Sequence, residues 1–173
     1  MPRRVKVIGA GLAGCEAAWR LAEEGFEVEL SDIKPKSFTP AHTNESFAEL
    51  VCSNSLKSND VFGNACGLLK EEMRSLNSLT MQAAELSKVP AGGALAVDRD
   101  KFAYYITDKI KAHKNIEVVC EEAEEIPPAP CIIATGPLTS GRLAEDIAQK
   151  LGGGLHFYDA SAPIVSAESV DMS

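Results

Sequence analysis

The sequence predicts an α/β fold with a mainly parallel sheet and a segment of helices and loops inserted between two of its strands. Three observations support this prediction. An apolar strand, a glycine turn and a helical pattern open the chain, and a late apolar run, 131–136, is again followed by a helical pattern. Between them, residues 34–97 contain little strand–helix alternation. Because strands joined through helices run parallel, these units indicate a doubly wound sheet.

Composition is that of a globular domain without a membrane segment. The chain has 173 residues, of which 45% are apolar and 24% charged. The longest apolar run near the start, Val7–Cys15, is far shorter than the ~20 residues that span a bilayer, and Glu16 and Arg20 interrupt any signal-peptide core. We therefore expect a cytoplasmic protein without a membrane partner.

Cysteine spacing and charge exclude several other classes. The five cysteines form no C-x-x-C pair, so the sequence predicts neither a zinc site nor a disulfide framework, and no metal. The net charge of −8 opposes tight nucleic-acid binding by this stretch alone. A basic patch elsewhere remains compatible with this balance.

The first strand ends in a glycine turn of the form G-x-G-x-x-G, made by Gly9, Gly11 and Gly14. Glycines of this pattern allow a sharp turn, a close approach of backbone to phosphate, and close packing of helix on strand. The helix N-terminus behind them attracts an anion. Asp32 follows at roughly the ~20-residue distance at which an acid accepts a hydrogen bond from a ribose. The pattern predicts a dinucleotide site, against the alternative of a glycine-rich turn that binds nothing.

Local patterns place the elements of the first half. A helix is predicted from about Leu12 to Glu24, ended by Gly25, and a strand over Phe26–Leu30. Residues 34–58 follow as a long loop, with one helical turn at 47–51. Loops of this length are usually functional.

The second half alternates helices and strands. The predicted helices are about 64–76, with Leu69, Met73 and Leu76 on one face, then 79–86, 99–113 with Asp98 as N-cap, and 140–151. The predicted strands are 94–97, 116–120 and 131–136. The tail after the glycines at 152–154 carries strand-like pieces only.

The glycine turn, Asp32 and the Ala134-Thr135-Gly136 run together resemble flavoproteins of the glutathione-reductase type. This resemblance implies a Rossmann-like FAD-binding fold in which small residues let the late strand pass near the flavin. The residues expected to contact FAD are Gly9, Ala10, Gly11, Leu12, Ala13, Gly14, Asp32, Ala134, Thr135 and Gly136.

Longer strings resemble one family, the folate- and FAD-dependent tRNA uracil-5-methyltransferases. The strings are TPAH (39–42), FAELVCSNSLKS (47–58), GLLKEEMRSL (67–76), VPAGGALAVDRD (89–100), IIATGPLTS (132–140) and FYDASAPIV (157–165). The family commonly has Tyr-Glu where this chain has Ser31-Asp32, and an aspartate still accepts from a ribose hydroxyl. Members are much longer, so residues 1–173 correspond to the incomplete N-terminal part of an FAD-binding domain, expected to be inactive in isolation.

The resemblance implies a reaction on RNA. Methylenetetrahydrofolate supplies a one-carbon unit, reduced FAD carries it, NAD(P)H re-reduces the flavin, and a T-loop uridine of tRNA is methylated at C5. Uracil C5 is poorly nucleophilic, so a thiolate must add at C6 and a base must later remove the C5 proton. Cys52 matches one of the family's two functional cysteines, as nucleophile or as base.

The residues alone leave alternatives open. Cys52 lies in a polar loop near Lys57, whereas the other four cysteines fit core positions. His42 and Lys57 are expected to be solvated, and the alternatives for Lys57 are contact with phosphate or an effect on the reactivity of Cys52. The glycine turn alone equally permits an FAD- or NAD(P)-dependent oxidoreductase of a small molecule, and a ribosomal-RNA methyltransferase of the same family would match the same strings. A binding module without activity is the third class.

Overall fold

The computed structural model describes residues 4–153, which form two sheets and the helices around them. The strands are β1 (Arg4–Ile8), β2 (Glu27–Asp32), β3 (Ser55–Ser58), β4 (Lys88–Val89), β5 (Ala94–Val97), β6 (Ile116–Cys120) and β7 (Cys131–Ile133). The helices are α1 (Leu12–Glu23), α2 (Ala65–Ser75), α3 (Leu79–Leu86), α4 (Arg99–Ala112) and α5 (Gly141–Leu151). The string 157–165 lies outside the described residues.

The main sheet has the order β6-β2-β1-β7, and every pairing in it is parallel. The parallel α/β prediction is confirmed. From β1 the chain proceeds to one side through β2 and β6, and it then returns to the other side of β1 as β7. This reversal beside β1 is the kind of switch point at which open α/β sheets bind ligands, at the carboxyl ends of their strands.

The predicted long loop at 34–58 is wrong in its last residues, because Ser55–Ser58 forms β3. This strand pairs antiparallel with β5, which also pairs antiparallel with β4. Only Ser55 and Ser58 are in register, with an irregularity between them, and Lys57 has the left-handed φ of 65°. A short, irregular strand of Ser, Leu and Lys carries no alternating pattern, so the sequence gives no signal for it. The helical turn predicted at 47–51 is also absent, because Ala48 has a φ of 51°.

The core lies between the main sheet and helices α1, α3 and α4. The predicted buried side of α4 is confirmed, since Phe102, Ile106 and Ile110 are buried. Asp98 caps α4 as predicted, by accepting from the Lys101 N–H at 3.1 Å. Leu143 of α5 packs on the opposite face of the sheet in a smaller cluster.

The shared apolar face of α2 is not fully covered. Leu69 and Leu76 are exposed, while Met73 packs against the core. The buried positions of α2 are Gly67 and Lys70 instead. Among the helices within 4–153, none is long and apolar enough to cross a membrane.

Candidate dinucleotide site

The glycine turn after β1 has the close contacts that its spacing predicts. Gly9 has a φ of 96°, and a Cβ added there would lie 2.5 Å from the Ala134 carbonyl oxygen. A Cβ at Gly14 would lie 1.7 Å from the Gly9 carbonyl oxygen. Both positions therefore exclude side chains for reasons internal to the fold.

Gly11 is different, because a Cβ added there would meet no protein atom within 4 Å. Gly11 is the N-cap of α1 and makes no side-chain cap hydrogen bond. The first N–H groups of a helix have no carbonyl partner within it, and the helix dipole makes this end positive. The open space at Gly11 thus lies where a phosphate is attracted.

A cleft of about 350 Å³ opens at this end of the sheet. It brings together predicted residues from three separate parts of the chain. They are Gly9, Gly11, Leu12 and Ala13, then Asp32, and then Ala134, Thr135 and Gly136. Ala10 is buried and Gly14 packs against Gly9, so these two residues support the turn from behind.

Asp32 joins the glycine turn to the end of β2. Its Oδ2 accepts from the Ala10 N–H at 2.6 Å and its Oδ1 accepts from the Lys34 N–H at 2.9 Å. Each carboxylate oxygen has a second lone pair. Asp32 therefore holds the turn in place and still has an acceptor for a hydroxyl in the cleft.

The run after β7 forms the other wall through a chain of hydroxyl groups. Thr139 Oγ1 donates to the Gly136 carbonyl at 2.7 Å and lies 2.6 Å from Thr135 Oγ1. Because the Thr139 proton is used, Thr135 is the donor of this second bond. Gly136 has a φ of 77°, which fits its glycine identity.

The segment after β2 contributes residues that were predicted to be solvated or were not singled out. Thr39 and His42 line the cleft, and Thr39 Oγ1 lies 2.6 Å from His42 Nδ1. The only sequence signal for them is the TPAH string itself. Lys34 and Glu49 also line the cleft, and both side chains are largely buried.

Burial and the hydrogen-bond partners of Glu49 shift its pKa in opposite directions. Burial alone raises the pKa of Glu49, whereas hydrogen bonds from the backbone and hydroxyl of Thr43 and the backbone of Asn44, with the charge of Lys34, lower it. The net effect holds the pKa below the usual range of a glutamate. Glu49 is thus a charged brace at neutral pH.

Cys52 is exposed beside the cleft. Its neighbour Val51 lines the cleft, while Cys52 itself does not. Arg99 Nη2 donates to the Cys52 carbonyl at 3.1 Å. Asn54 connects the next residues to β5. Its side-chain Nδ2 donates to the Val97 carbonyl, and its backbone carbonyl accepts from the Val97 N–H. The polar loop is therefore fixed at both ends with its thiol accessible.

Cys15 fits the core position predicted for it. It is buried in the first turn of α1, and its Sγ donates to the Ala10 carbonyl at 3.3 Å. Burial, followed by the charge of Asp32, raises the pKa of its thiol to about 12. Within residues 4–153, His, Cys, Asp and Glu form no group of three that could hold a metal ion.

Comparison with known proteins assigns this arrangement to a family. The family model described as glucose inhibited division protein A matches residues 4–173, almost the whole chain. The chain belongs to this family. The match extends through the glycine turn, Asp32, Cys52 and the 134–136 run.

Several curated proteins are similar to the chain over nearly its whole length. It is 60% identical over 171 residues to the methylenetetrahydrofolate–tRNA-(uracil-5-)-methyltransferase TrmFO of Acetivibrio thermocellus. It is 55% identical over 173 residues to the protein of the same name from Ligilactobacillus salivarius. The resemblance predicted from the sequence strings is confirmed. The chain covers 98% and 99% of its own length in these matches but 39% of each relative.

A solved family structure shares the fold. The Aquifex aeolicus GidA structure aligns with a TM-score of 0.58 at 18% identity, over 75% of this chain and 21% of that one. At this identity the likeness supports the fold.

Proposed function

We propose that this chain provides the FAD-binding part of a methylenetetrahydrofolate-dependent tRNA (uracil-5-)-methyltransferase. The observation that carries the proposal is the cleft at which Gly11, Asp32 and Thr135 converge, in a chain 60% identical to an enzyme of that name. Because the chain spans about two fifths of that relative, the activity belongs to the longer protein.

The residues present fit the cofactor. The open backbone at Gly11 and the N-terminus of α1 would hold the pyrophosphate, because no side chain occupies that space. The free lone pairs of Asp32 would accept from the adenosine ribose. The 134–136 run would pack against the flavin with small side chains. When bound, FAD supplies the one-carbon carrier and the reducing equivalents, with NAD(P)H as the proposed reductant.

Cys52 is the proposed reactive thiol of this chain. A thiolate that adds to uracil C6 places electron density on C5, where the new carbon bond forms. Removal of the C5 proton by a base then allows the thiolate to leave C6. In either role, as the thiolate that adds to C6 or as the base that removes the C5 proton, the cysteine must be accessible, and Cys52 is exposed beside the cleft. We propose that its substrate is a T-loop uridine of tRNA and that the enzyme acts in the cytoplasm.

A chimera tests the proposal. Residues 1–173 replace the matching part of the Acetivibrio thermocellus relative, and 5-methyluridine is measured on T-loop RNA with FAD, methylenetetrahydrofolate and NADPH. The chimera is expected to methylate this RNA. Cys52→Ala is expected to lose about 100-fold or more in rate, and Cys66→Ala, at a half-buried position, is expected to retain the rate of the chimera. Equal methylation rates in Cys52→Ala and Cys66→Ala would contradict a role for Cys52 in the reaction.

Two further outcomes separate the alternatives. Methylation of a ribosomal-RNA fragment in preference to the T-loop would assign the other RNA target. Oxidation of NADPH at the expense of a small molecule, without RNA methylation, would contradict the proposal in favour of an oxidoreductase.

A further inference from the structure

A buried ammonium group, that of Lys34, lies in the wall of the cleft. The residue is 8% exposed. Its Nζ donates to the Ser46 carbonyl and, at 3.3 Å, to the Asn44 carbonyl. It also lies 3.8 Å from Glu49 Oε2. A buried charge is costly unless it is paired and hydrogen-bonded, and these three acceptors satisfy Lys34.

The acceptors of Lys34 belong to a segment that Glu49 braces internally. Glu49 Oε1 accepts from the Thr43 N–H at 3.0 Å, and Glu49 Oε2 accepts from the Asn44 N–H at 3.1 Å. The segment 43–49 is thus folded around one ion pair. His42 immediately precedes this segment, and Cys52 follows it along the chain.

Two sets of hydrogen bonds connect Lys34 with the glycine turn, one through Asp32 and one through the 43–49 segment. The Lys34 N–H and the Ala10 N–H donate to the two oxygens of Asp32. At the far end of the segment, the Ala48 N–H donates to the Ala10 carbonyl at 2.9 Å. The hydrogen bonds therefore close a ring from Ala10 through Asp32, Lys34 and the 43–49 segment back to Ala10.

The backbone of Ala48 adopts an unfavourable conformation where the ring closes. It is a buried non-glycine residue with a left-handed φ of 51°. Such a conformation is unfavourable for a non-glycine residue and persists only where the surroundings enforce it. The Ala48 N–H reaches the Ala10 carbonyl in this conformation, and the adjacent Phe47 N–H donates to Thr107 Oγ1 at 2.9 Å.

We propose that Lys34 is a positioning residue, whose buried ammonium couples the cofactor-binding glycine turn to the segment that leads to Cys52. When the charge of Lys34 is removed, the hydrogen bonds donated by the Ala10 N–H and the Ala48 N–H break together, because both belong to the ring. The coupling rests on the proposed FAD site for its function, but its geometry belongs to the free chain.

The chain offers a matched control in Lys70. Lys70 is 6% exposed, and its Nζ donates to two carbonyls, those of Ser58 and Cys66, each at 2.7 Å. Burial desolvates its ammonium and thereby lowers the pKa of Lys70. Lys70→Met removes a similarly buried charge on α2, outside the residues that line the cleft.

Amide hydrogen exchange on the full 173-residue chain tests the coupling. Lys34→Met is expected to accelerate exchange at both Ala10 and Ala48 by about tenfold or more, relative to the core amide of Ile106. Lys70→Met is expected to leave both within about threefold on the same scale. Acceleration at Ala48 alone, at neither amide, or equally in both variants would overturn the proposal.

FAD titration of the same variants provides a second measurement. Lys34→Met is expected to raise the Kd for FAD by about tenfold or more and Lys70→Met by less than about threefold. Equal losses would reduce Lys34 to a general stabilising role and overturn its assignment. A wild-type chain that binds no FAD would contradict the proposed function, while the exchange result still decides the coupling.

Discussion

At the residue scale, the three glycines of the turn have different structural roles, although the sequence pattern does not distinguish them. Their spacing predicts a turn and a close approach, and the structure separates the two. Gly9 and Gly14 face backbone atoms of the protein, whereas Gly11 faces open space. The sequence also places Asp32 near the turn, but its bond to the Ala10 N–H crosses between two strands and could not be predicted from spacing.

The glycine contacts predict stability losses of very different size at Gly14 and Gly11. Gly14→Ala forces a Cβ to within 1.7 Å of the Gly9 carbonyl, so the turn must move, at a cost of about 3 kcal/mol or more of unfolding free energy. Gly11→Ala meets no atom and costs about 1 kcal/mol or less, from the weaker N-cap. Urea denaturation of the two variants checks this order. Equal losses would contradict the assignment of Gly11 to open space.

At the element scale, the structure shows what hydrophobic periodicity can and cannot predict. The pattern of α4 predicts its buried face because that face packs on the sheet. In α2, periodicity correctly groups Leu69 with Leu76 but does not show whether that face is covered. The short strand at 55–58 is formed by pairing with β5, a contact distant in sequence, so its own residues carry no strand signal.

A carboxylate from another helix caps the N-terminus of α3. Glu16 of α1 accepts from the N–H groups of Leu79 and Thr80, at 3.1 and 2.9 Å, and from the hydroxyls of Ser78 and Thr80. Glu16→Ala is expected to lower the free energy of unfolding by about 2 kcal/mol, because several donors lose their acceptor.

The control for this cap lies at the end of the same helix. Glu24 follows the last residue of α1, and among residues 4–153 its carboxylate pairs only with Arg20, at the surface. Glu24→Ala should change stability by about 0.5 kcal/mol or less, as measured in the same urea series. A loss as large as that of Glu16→Ala would show that the α1–α3 contact is not stabilised by capping.

Charged side chains cross the main sheet from β1 to β2, and they make stability depend on acid. Hydrogen bonds from Arg4, then from Lys6, hold the pKa of Glu29 below its usual range. The stabilisation is therefore complete above the unfolded pKa of about 4.3. It is lost as pH falls below that value through the folded pKa, because the unfolded state then binds the proton first.

Substitution of Glu29 tests this acid dependence. Glu29→Gln should remove about 0.5–1 kcal/mol at pH 7 and flatten the fall in stability below pH ~4.3. Thermal unfolding between pH 3 and 7 measures both effects, with Glu27→Gln, at an exposed position of the same strand, as the control. An unchanged pH profile in Glu29→Gln would contradict the role of this ion pair.

At the scale of the whole molecule, residues distant in sequence meet because the strands are parallel. Gly11 follows β1, Asp32 ends β2 and Thr135 follows β7, so the carboxyl ends of adjacent strands bring all three to one edge. The sequence therefore predicts these walls of the cleft. It does not predict the wall formed by residues 39–49, because hydrogen bonds around Lys34 and Glu49 fold that segment without regular secondary structure.

The proposed FAD site depends on the backbone left open at Gly11, at this edge of the sheet. The most direct measurement is a titration of the purified chain with FAD, followed by flavin fluorescence, for the wild type and Gly11→Ala. We expect saturable binding of one FAD per wild-type chain. We also expect a Kd raised by about tenfold or more in Gly11→Ala, whose fold remains stable by denaturation. Absence of binding in the wild type, or an unchanged Kd in Gly11→Ala, would contradict the proposed site.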